Sequence, residues 1–529
     1  MSMRKRSSVA VAAVATASIA TGASAATPKG AVTAQPQGQA AVRFIDVTSS
    51  ASVGTRPSIG GLASGSSWGD FNGDGRPDLF VGNHYGTPAL FKNLGNGSFA
   101  DVTTTVMTRP ATAQPGRWGD QHGAAWSDMD KDGDNDLMVL VGANKGTGKG
   151  ENQLYINSGS RLVDHAEDYN IQYAESRGRT PLWLDYDNDG QIDLFQGAKA
   201  RPGGSGPPTL FQHTTTGFKD VRRAVNFLPT NSISGWLSDV DRDGQMEFLY
   251  QGAKLLAPAA PFNTRFDILK TQGSQFQNVT HSFIRGSQSD LAVADYDGDL
   301  RPDFFLCNAW RPSQHPISND LYFNRSSGFI RVTGKAAAAL NEFPRPCPPS
   351  VVAADFDNDM DVDIFIDNGI AEHDQENTIL RNRGDGAFVA DGHAAGAAGR
   401  LKGGADSVAM SDYNGDGFLD LYLTYNGQVS QLYRNQGNNN HWLELSLRGT
   451  RSNADGIGAQ IYVIAGGKKQ LREQNGGIHR YWAQNDSTVH VGLGSNSVAQ
   501  SVEIRWPSGR VQRLNNVRAD QRLRVTEPR

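Results

Sequence analysis

Apolar residues along this chain fall in short runs divided by polar turns, and no stretch after the N-terminus keeps a helical 3.6-residue period. One order of runs recurs. A short apolar strand, as in Ala124-Ala125-Trp126, leads into an acidic stretch, and a second apolar run, Leu137 to Val141, leaves it. After a loop of variable length comes a third strand ending in Asn, as in Leu90-Phe91-Lys92-Asn93, Leu154-Tyr155-Ile156-Asn157, Leu321-Tyr322-Phe323-Asn324 and Leu432-Tyr433-Arg434-Asn435. A Gly turn then gives a fourth strand, Phe99-Ala100-Asp101-Val102-Thr103 or Phe276-Gln277-Asn278-Val279-Thr280. Four short strands per repeat without helices describe a propeller blade.

The acidic stretch occurs seven times, beginning at Asp70, Asp128, Asp185, Asp239, Asp295, Asp355 and Asp412, a near-constant period that signals a repeat architecture. Position three is Asn72, Asp130, Asp187, Asp241, Asp297, Asp357 and Asn414; position five is Asp74, Asp132, Asp189, Asp243, Asp299, Asp359 and Asp416. Position nine is Asp78, Asp136, Asp193, Glu247, Asp303, Asp363 and Asp420. Calcium takes six to eight oxygens at about 2.3–2.6 Å. A tight loop supplies these from side chains at one, three and five, a carbonyl at seven and the carboxylate at nine. Position six is Gly in five loops, as a turn with φ > 0 prefers, but Leu300 in the fifth and Met360 in the sixth, which predicts weaker sites there. An EF-hand would place a glutamate at position twelve between helices; here position nine runs straight into a strand. Up to seven structural calcium ions are expected.

The ends of the array fit a closed ring. The seventh repeat lacks its own fourth strand, and an unpaired one, Phe44-Ile45-Asp46-Val47-Thr48, precedes the first loop. The expected fold is all-β: a seven-bladed β-propeller over residues 43–437, with four-stranded blades and the N-terminal strand completing the last blade, followed by a small β-sandwich over 439–529. Closure of this kind removes an exposed sheet edge.

Charge and composition refine the picture. Two cysteines among 529 residues exclude a disulfide-dense scaffold and any Cys-based zinc cluster. Arg4, Lys5 and Arg6, the small apolar run Val9 to Ala20 and Ala23-Ser24-Ala25 have the form of a signal peptide over residues 1–25, with 26–42 a linker. Export to the periplasm, cell surface or medium is therefore expected, with no membrane-spanning segment and no nucleic-acid partner. Residues 439–529 carry 13 Lys+Arg against 7 Asp+Glu, whereas the whole chain has a net charge of −5. That basic segment reads as a solvated surface, with contact to a polyanion as the alternative.

The DxDxDGxxD loops, LYxN strands and FxDVT strands resemble the FG-GAP/VCBS repeats of integrin-alpha-like propellers. Residues 439–529 resemble the ASPIC/UnbV domain through NHWLEL, GTRSNADGIGA, AQND, GLG and RWPSG, as found after such propellers in the cartilage acidic protein family. The resemblance names a family and supplies no chemistry.

Function is expected on the face opposite the acidic loops. Variable loops there hold His84, Tyr85, Lys199, Trp310, His315, Glu372 and His373, and the segments before each first strand bring Trp118, His122, Arg179, Asp290 and Asp406. Aromatic, His and Arg residues on one rigid face suit a protein or glycan partner. Cys307 and Cys347 are expected in neighbouring blades on this face, as a disulfide. No HExxH, GxSxG or phosphate-binding Gly loop is present. The leading expectation is an exported, calcium-stabilised recognition or adhesion module. The alternative is an enzyme of secreted or specialised metabolism using the channel, with His122 and Asp406 or Asp290 as an acid–base pair.

Overall fold

In a computed structural model, residues 42–529 are described apart from loop segments, of which 254–263, 280–287, 309–318, 342–349 and 368–375 are among the longest. Residues 1–41, which include the expected signal peptide and linker, lie outside the described residues. The fold is all-β. Among the described residues the repeat region forms seven sheets, each built on consecutive antiparallel strands that run from the inside out. They span residues 63–101, 121–164, 178–220, 235–278, 288–331, 350–391 and 405–435. The last sheet gains its outer strand from the N-terminus: Phe44, Ile45 and Asp46 pair with Asn435, Arg434 and Tyr433.

The FxDVT motif explains this exchange. In the first sheet the Asp101 carboxylate accepts from the Thr103 backbone N–H and hydroxyl, and Thr103 Oγ1 accepts the Leu90 N–H at 2.7 Å. Asp46 and Thr48 repeat this arrangement across the ring junction, where Thr48 Oγ1 accepts the Leu432 N–H at 2.9 Å. The first and last sheets also share a core, with Trp68 stacked on Tyr413 and edge-on to Tyr422.

Neighbouring sheets are joined by the Asn that ends the third strand. Its own N–H is accepted by the position-nine carboxylate, as in Asn382 to Asp363 at 2.8 Å. Its side-chain amide then donates to the position-two carbonyl of the preceding repeat: Asn93 to Tyr413, Asn157 to Phe71, Asn324 to Val240, Asn382 to Tyr296 and Asn435 to Phe356, all at 2.7–2.8 Å. The fourth repeat uses the Thr271 hydroxyl on the Tyr186 carbonyl at 3.4 Å. Buried amides satisfied on both sides fix the inter-sheet spacing.

The C-terminal segment forms two sheets around one apolar core that includes Leu443, Ile461, Val491, Val502 and Trp506. One sheet orders Val489–Gly494, His441–Arg448 and Gln521–Thr526; the other orders Lys468–Glu473, Gln460–Ala465, Val498–Arg505 and Val511–Arg518. The GTRSN stretch at its start is held by Glu527. The Glu527 carboxylate accepts the N–H groups of Thr450, Arg451 and Ser452 and the hydroxyls of Ser452 and Ser508. Burial acts to raise its pKa, but the Ser508 hydroxyl and these N–H groups outweigh it and bring it down to about 2.

Residues 40–529 make one compact unit. The strands Ile478–His479 and Ala483–Gln484 pair with each other and join the first sheet, with Gln484 in parallel register to Ser67. This hairpin touches the inner strands of the first, second, third, fourth, fifth and seventh sheets, so it stands in the central channel. The Gln484 side chain accepts from the Ser67 hydroxyl and the Trp126 N–H, both at 2.7 Å, and donates to the Trp126 carbonyl at 3.1 Å.

Two measurements test this account. Asn382→Ala leaves the buried Tyr296 and Val362 carbonyls without their donor, and denaturant unfolding is expected to show a loss of about 2–4 kcal/mol. Glu527 has a depressed folded pKa, so its stabilising effect is full above the unfolded value of 4.5 and is lost as pH falls through about 2. The melting-temperature gap between the wild type and Glu527→Gln is therefore expected to be largest at neutral pH and to close under acid.

Candidate metal centres

Each acidic loop is a tight turn between the first and second strands of its sheet. Position six has φ between 81° and 104° at Gly75, Gly133, Gly190, Gly244 and Gly417. Leu300 and Met360 adopt the same region, at φ 66° and 79°. Met360 has a compensating contact, because its side chain packs against the C-terminal core beside Gly494. Position four is also left-handed in every loop, at Gly73, Lys131, Asn188, Arg242, Gly298, Asn358 and Gly415. Sequence reasoning missed that constraint, although Gly or Asn at five of the seven positions was its signal.

The position-one carboxylate accepts the N–H of position six in every loop, as from Gly75 to Asp70 and from Leu300 to Asp295. The position-nine carboxylate accepts the N–H of position two, as from Tyr186 to Asp193 and from Val240 to Glu247. These bonds leave further lone pairs directed into the loop. Asp128 Oδ1, Asp187 Oδ1, Glu247 Oε1, Asp295 Oδ1 and Asp357 Oδ1 are buried without a hydrogen-bond partner. In the second to fifth loops three carboxylates bring one oxygen each to within 4.8 Å of one another: Asp128, Asp130 and Asp132; Asp185, Asp187 and Asp193; Asp239, Asp241 and Glu247; Asp295, Asp297 and Asp299.

Electrostatics match this crowding. Burial first, and neighbouring carboxylates after it, push Asp78 up to about 7, Asp136, Asp303 and Glu247 to about 8, and Asp193 to about 9, against opposing backbone N–H groups. Asp363 and Asp420 are raised well above the carboxylate range for the same reason. Oxygen-only donors, orphaned buried oxygens and mutual repulsion fit a hard divalent cation. The donor sets of the first and seventh loops are less open: the Asn72 amide donates to Asp78 and the Asn414 amide to Asp416, both at 2.8 Å. In the fourth and fifth loops Lys270 pairs with Asp241 and Asp243, and Arg325 with Asp297 and Asp299.

The basic C-terminal domain docks on this acidic face through Arg448, Lys468, Arg472 and Arg522. The Arg522 guanidinium donates to the Gly75 carbonyl at 2.9 Å and to Glu444 at 2.6 Å, and Lys468 pairs with Asp361 at 2.5 Å. Arg448 lies 4.0 Å from Asp128, and the partly buried Arg472 lies 4.0 Å from Asp355. Further hydrogen bonds add to the seam. Glu473 accepts the Asp239 N–H at 2.8 Å, Ser127 donates to Asp455, and His490 Nε2 donates to the Gly417 carbonyl at 3.0 Å. Asp295, Asp355, Glu444, Arg472, Asp486 and His490 line a cavity of about 180 Å³ within it.

The residues expected on the opposite face are distributed differently. Trp118 is buried in the core between the first two sheets, and its carbonyl accepts from Gln153. Arg179 is buried, with its guanidinium turned onto the carbonyls of Arg177 and Gly178. Asp290 is fully buried and joins two sheets by accepting the Leu291 and Val351 N–H groups. His122 instead faces His84, with ring centroids 4.6 Å apart, and its Nδ1 donates to the Asp120 carbonyl at 3.1 Å. Burial, then the Arg179 and His84 charges, hold His122 well below its usual pKa. Cys307 is buried and disulfide-bonded; Cys347, the only other cysteine, lies outside the described residues. Trp310, His315, His373 and the Asp406 side chain also lie outside them.

Comparison with known proteins agrees with this geometry. The FG-GAP-like repeat model matches residues 70–139 and 355–423, and the ASPIC and UnbV model matches residues 449–529. The chain carries FG-GAP-like repeats and an ASPIC/UnbV domain. It is related to cartilage acidic protein 1. It is 27% identical to the Mus musculus protein over 486 residues, covering 84% of this chain and 70% of that protein. It is 33% identical to the Homo sapiens protein over 240 residues, covering 42% and 34%. Among solved structures, the Dos1 propeller aligns at a TM-score of 0.39 and 11% identity, covering 75% of this chain and 96% of that one. The V. cholerae biofilm matrix protein Bap1 aligns at 0.28 and 12% identity, covering 65% and 60%.

The seam gives a direct test. Glu444 is buried, which raises its pKa to about 8 against the opposing Arg522 charge. Arg522→Ala removes the partner of this buried carboxylate and is expected to cost about 3–5 kcal/mol in denaturant unfolding. Adding Glu444→Gln to that variant is expected to restore most of the loss.

Proposed function

We propose that this protein is an exported, calcium-stabilised recognition module for a protein or glycan partner, with calcium in a structural role. The observation that carries the calcium reading is the set of buried carboxylate oxygens left without partners inside the acidic loops. Asp128, Asp187, Glu247, Asp295 and Asp357 supply these oxygens, and the other carboxylates and amides at positions one, three, five and nine would complete each donor set. The chemistry of the bound ion is neutralisation of a desolvated anionic cluster. For sites with Kd near 10⁻⁴ M, millimolar calcium adds about 1.4 kcal/mol each by mass action, or about 10 kcal/mol over seven independent sites.

A rigid disc with loops at one end is a common platform for recognition. The domain docked on the acidic face leaves the opposite rim as the surface where loop length and composition vary. The channel expected for the alternative enzyme is occupied by the hairpin at residues 478–484. The rim therefore supports the binding reading better than the channel supports catalysis.

Thermal unfolding of the mature protein in EGTA, followed by calcium titration, tests the proposal. The expected outcome is a melting temperature that drops by more than ten degrees without calcium and recovers on its return. Asp136→Asn and Asp193→Asn should each weaken that recovery. An EGTA-treated protein that melts with the calcium-loaded one would end the calcium reading. A screen of glycans and surface proteins, with and without calcium, tests the recognition half.

A further inference from the structure

At the end of the strands away from the acidic loops, His84, Asp120 and His122 form a cluster that the calcium reading does not use. The second strand of the first sheet runs from Asp78 at the acidic loop to Asn83 just before His84. Its six residues span about 20 Å, which separates the two regions. His84 Nδ1 lies 2.9 Å from Asp120 Oδ1. The three side chains bring one ligand atom each to within 4.8 Å of one another. The two imidazoles meet nearly edge to face, with an interplanar angle of 81°.

The surroundings enclose this space and orient its side chains. The Trp482 indole, carried by the channel hairpin, stands 4.8 Å from the His122 ring and 5.8 Å from the His84 ring. His122 is buried, and its bond to the Asp120 carbonyl orients the imidazole as an outer-shell contact does in a metal site. Gly142 closes the other side and donates its N–H to the same carbonyl at 2.6 Å. A Cβ on Gly142 would fall 2.3 Å from His122 Cε1 and 2.7 Å from Asp120 Oδ2. Only glycine leaves the space between carboxylate and imidazole open.

We propose that His84, Asp120 and His122 bind one divalent late first-row transition metal, of which zinc is the representative, at the rim of the first two sheets. Two imidazoles and a carboxylate suit that class of ion and leave coordination positions open. The nearby Arg177 and Arg179 act against any cation, so an ion held by charge alone, such as calcium, fits worse than one bonded through imidazole nitrogen. The site links the first two sheets and packs under the hairpin of the C-terminal domain.

The test uses the full chain stripped of metal and then saturated with calcium, so that the outcome does not depend on how the acidic loops are filled. Titration with Zn²⁺ is expected to show one equivalent bound, and Co²⁺ should give visible bands of a nitrogen-ligated ion. His122→Ala and Asp120→Asn should each weaken binding by more than about 100-fold, beyond the 10–100-fold that loss of an outer-shell partner costs. Gly142→Ala should weaken it with all three ligands retained, whereas His393→Asn should leave it unchanged. Circular dichroism establishes that each variant is folded. If the variants fail to fold, the wild-type stoichiometry and Co²⁺ spectrum decide alone. No Zn²⁺ uptake in the presence of calcium, a Co²⁺ spectrum without nitrogen ligation, or undiminished binding by folded His122→Ala overturns the proposal.

Discussion

The ring depends on a carboxylate that serves the backbone before it serves any ion. At position nine it accepts the N–H of position two in its own loop and, in most repeats, the N–H of the Asn that ends the third strand. The Asn amide then reaches the position-two carbonyl of the preceding repeat. One buried acid thus sets the turn, the strand end and the distance to the next sheet. Its burial has a consequence for the folded state. The same desolvation that strengthens these hydrogen bonds raises the pKa values of Asp136, Asp193 and Asp303 to about 8–9. The scaffold therefore gathers negative charge at the corners where it can least be solvated.

The C-terminal domain answers part of that charge. Arg448, Lys468, Arg472 and Arg522 reach acidic loops of different sheets, while Glu473, Gln484 and Asn485 satisfy strand ends that the channel would otherwise expose. Arg472 is largely enclosed by the seam, so its pKa is lowered by desolvation, with Asp355 and Asp295 acting in the opposite direction. Long-range complementarity between a basic domain and an acidic face brings the two parts together, and the polar hairpin fixes their register. Met360 belongs to the same logic. A side chain in a left-handed position is costly in isolation, but the cost is offset where that side chain packs on the docked domain.

Much of this was legible in the chain. The period of the acidic loops, the LYxN and FxDVT strands and the orphan strand at Phe44 specify four-stranded sheets and the exchange at the ring junction. Those features are local and repeat, so each copy corroborates the others. The hairpin at 478–484 was not legible because its strands are two residues long and mostly polar, and they acquire meaning only from the inner strands around them. The strand Val511–Arg518 is equally hard to read, because none of its residues is buried and its apolar alternation is weak. Trp118 and Asp290 misled for a related reason. Residue type suggested a ligand face, whereas one fills the core between sheets and the other bonds one inner strand to the next.

The position of the hairpin also changes where chemistry can occur. An open propeller channel offers convergent strand ends and a solvent column, the usual ground for placing a small-molecule site. Here Gln484 takes up the backbone groups of Trp126, and Trp482 extends toward His84 and His122. Asn485 likewise accepts the Met410 N–H, so the segment bonds to inner strands of the first, second and seventh sheets. The domain that shields the acidic face and the residue that covers the histidine cluster belong to one continuous segment.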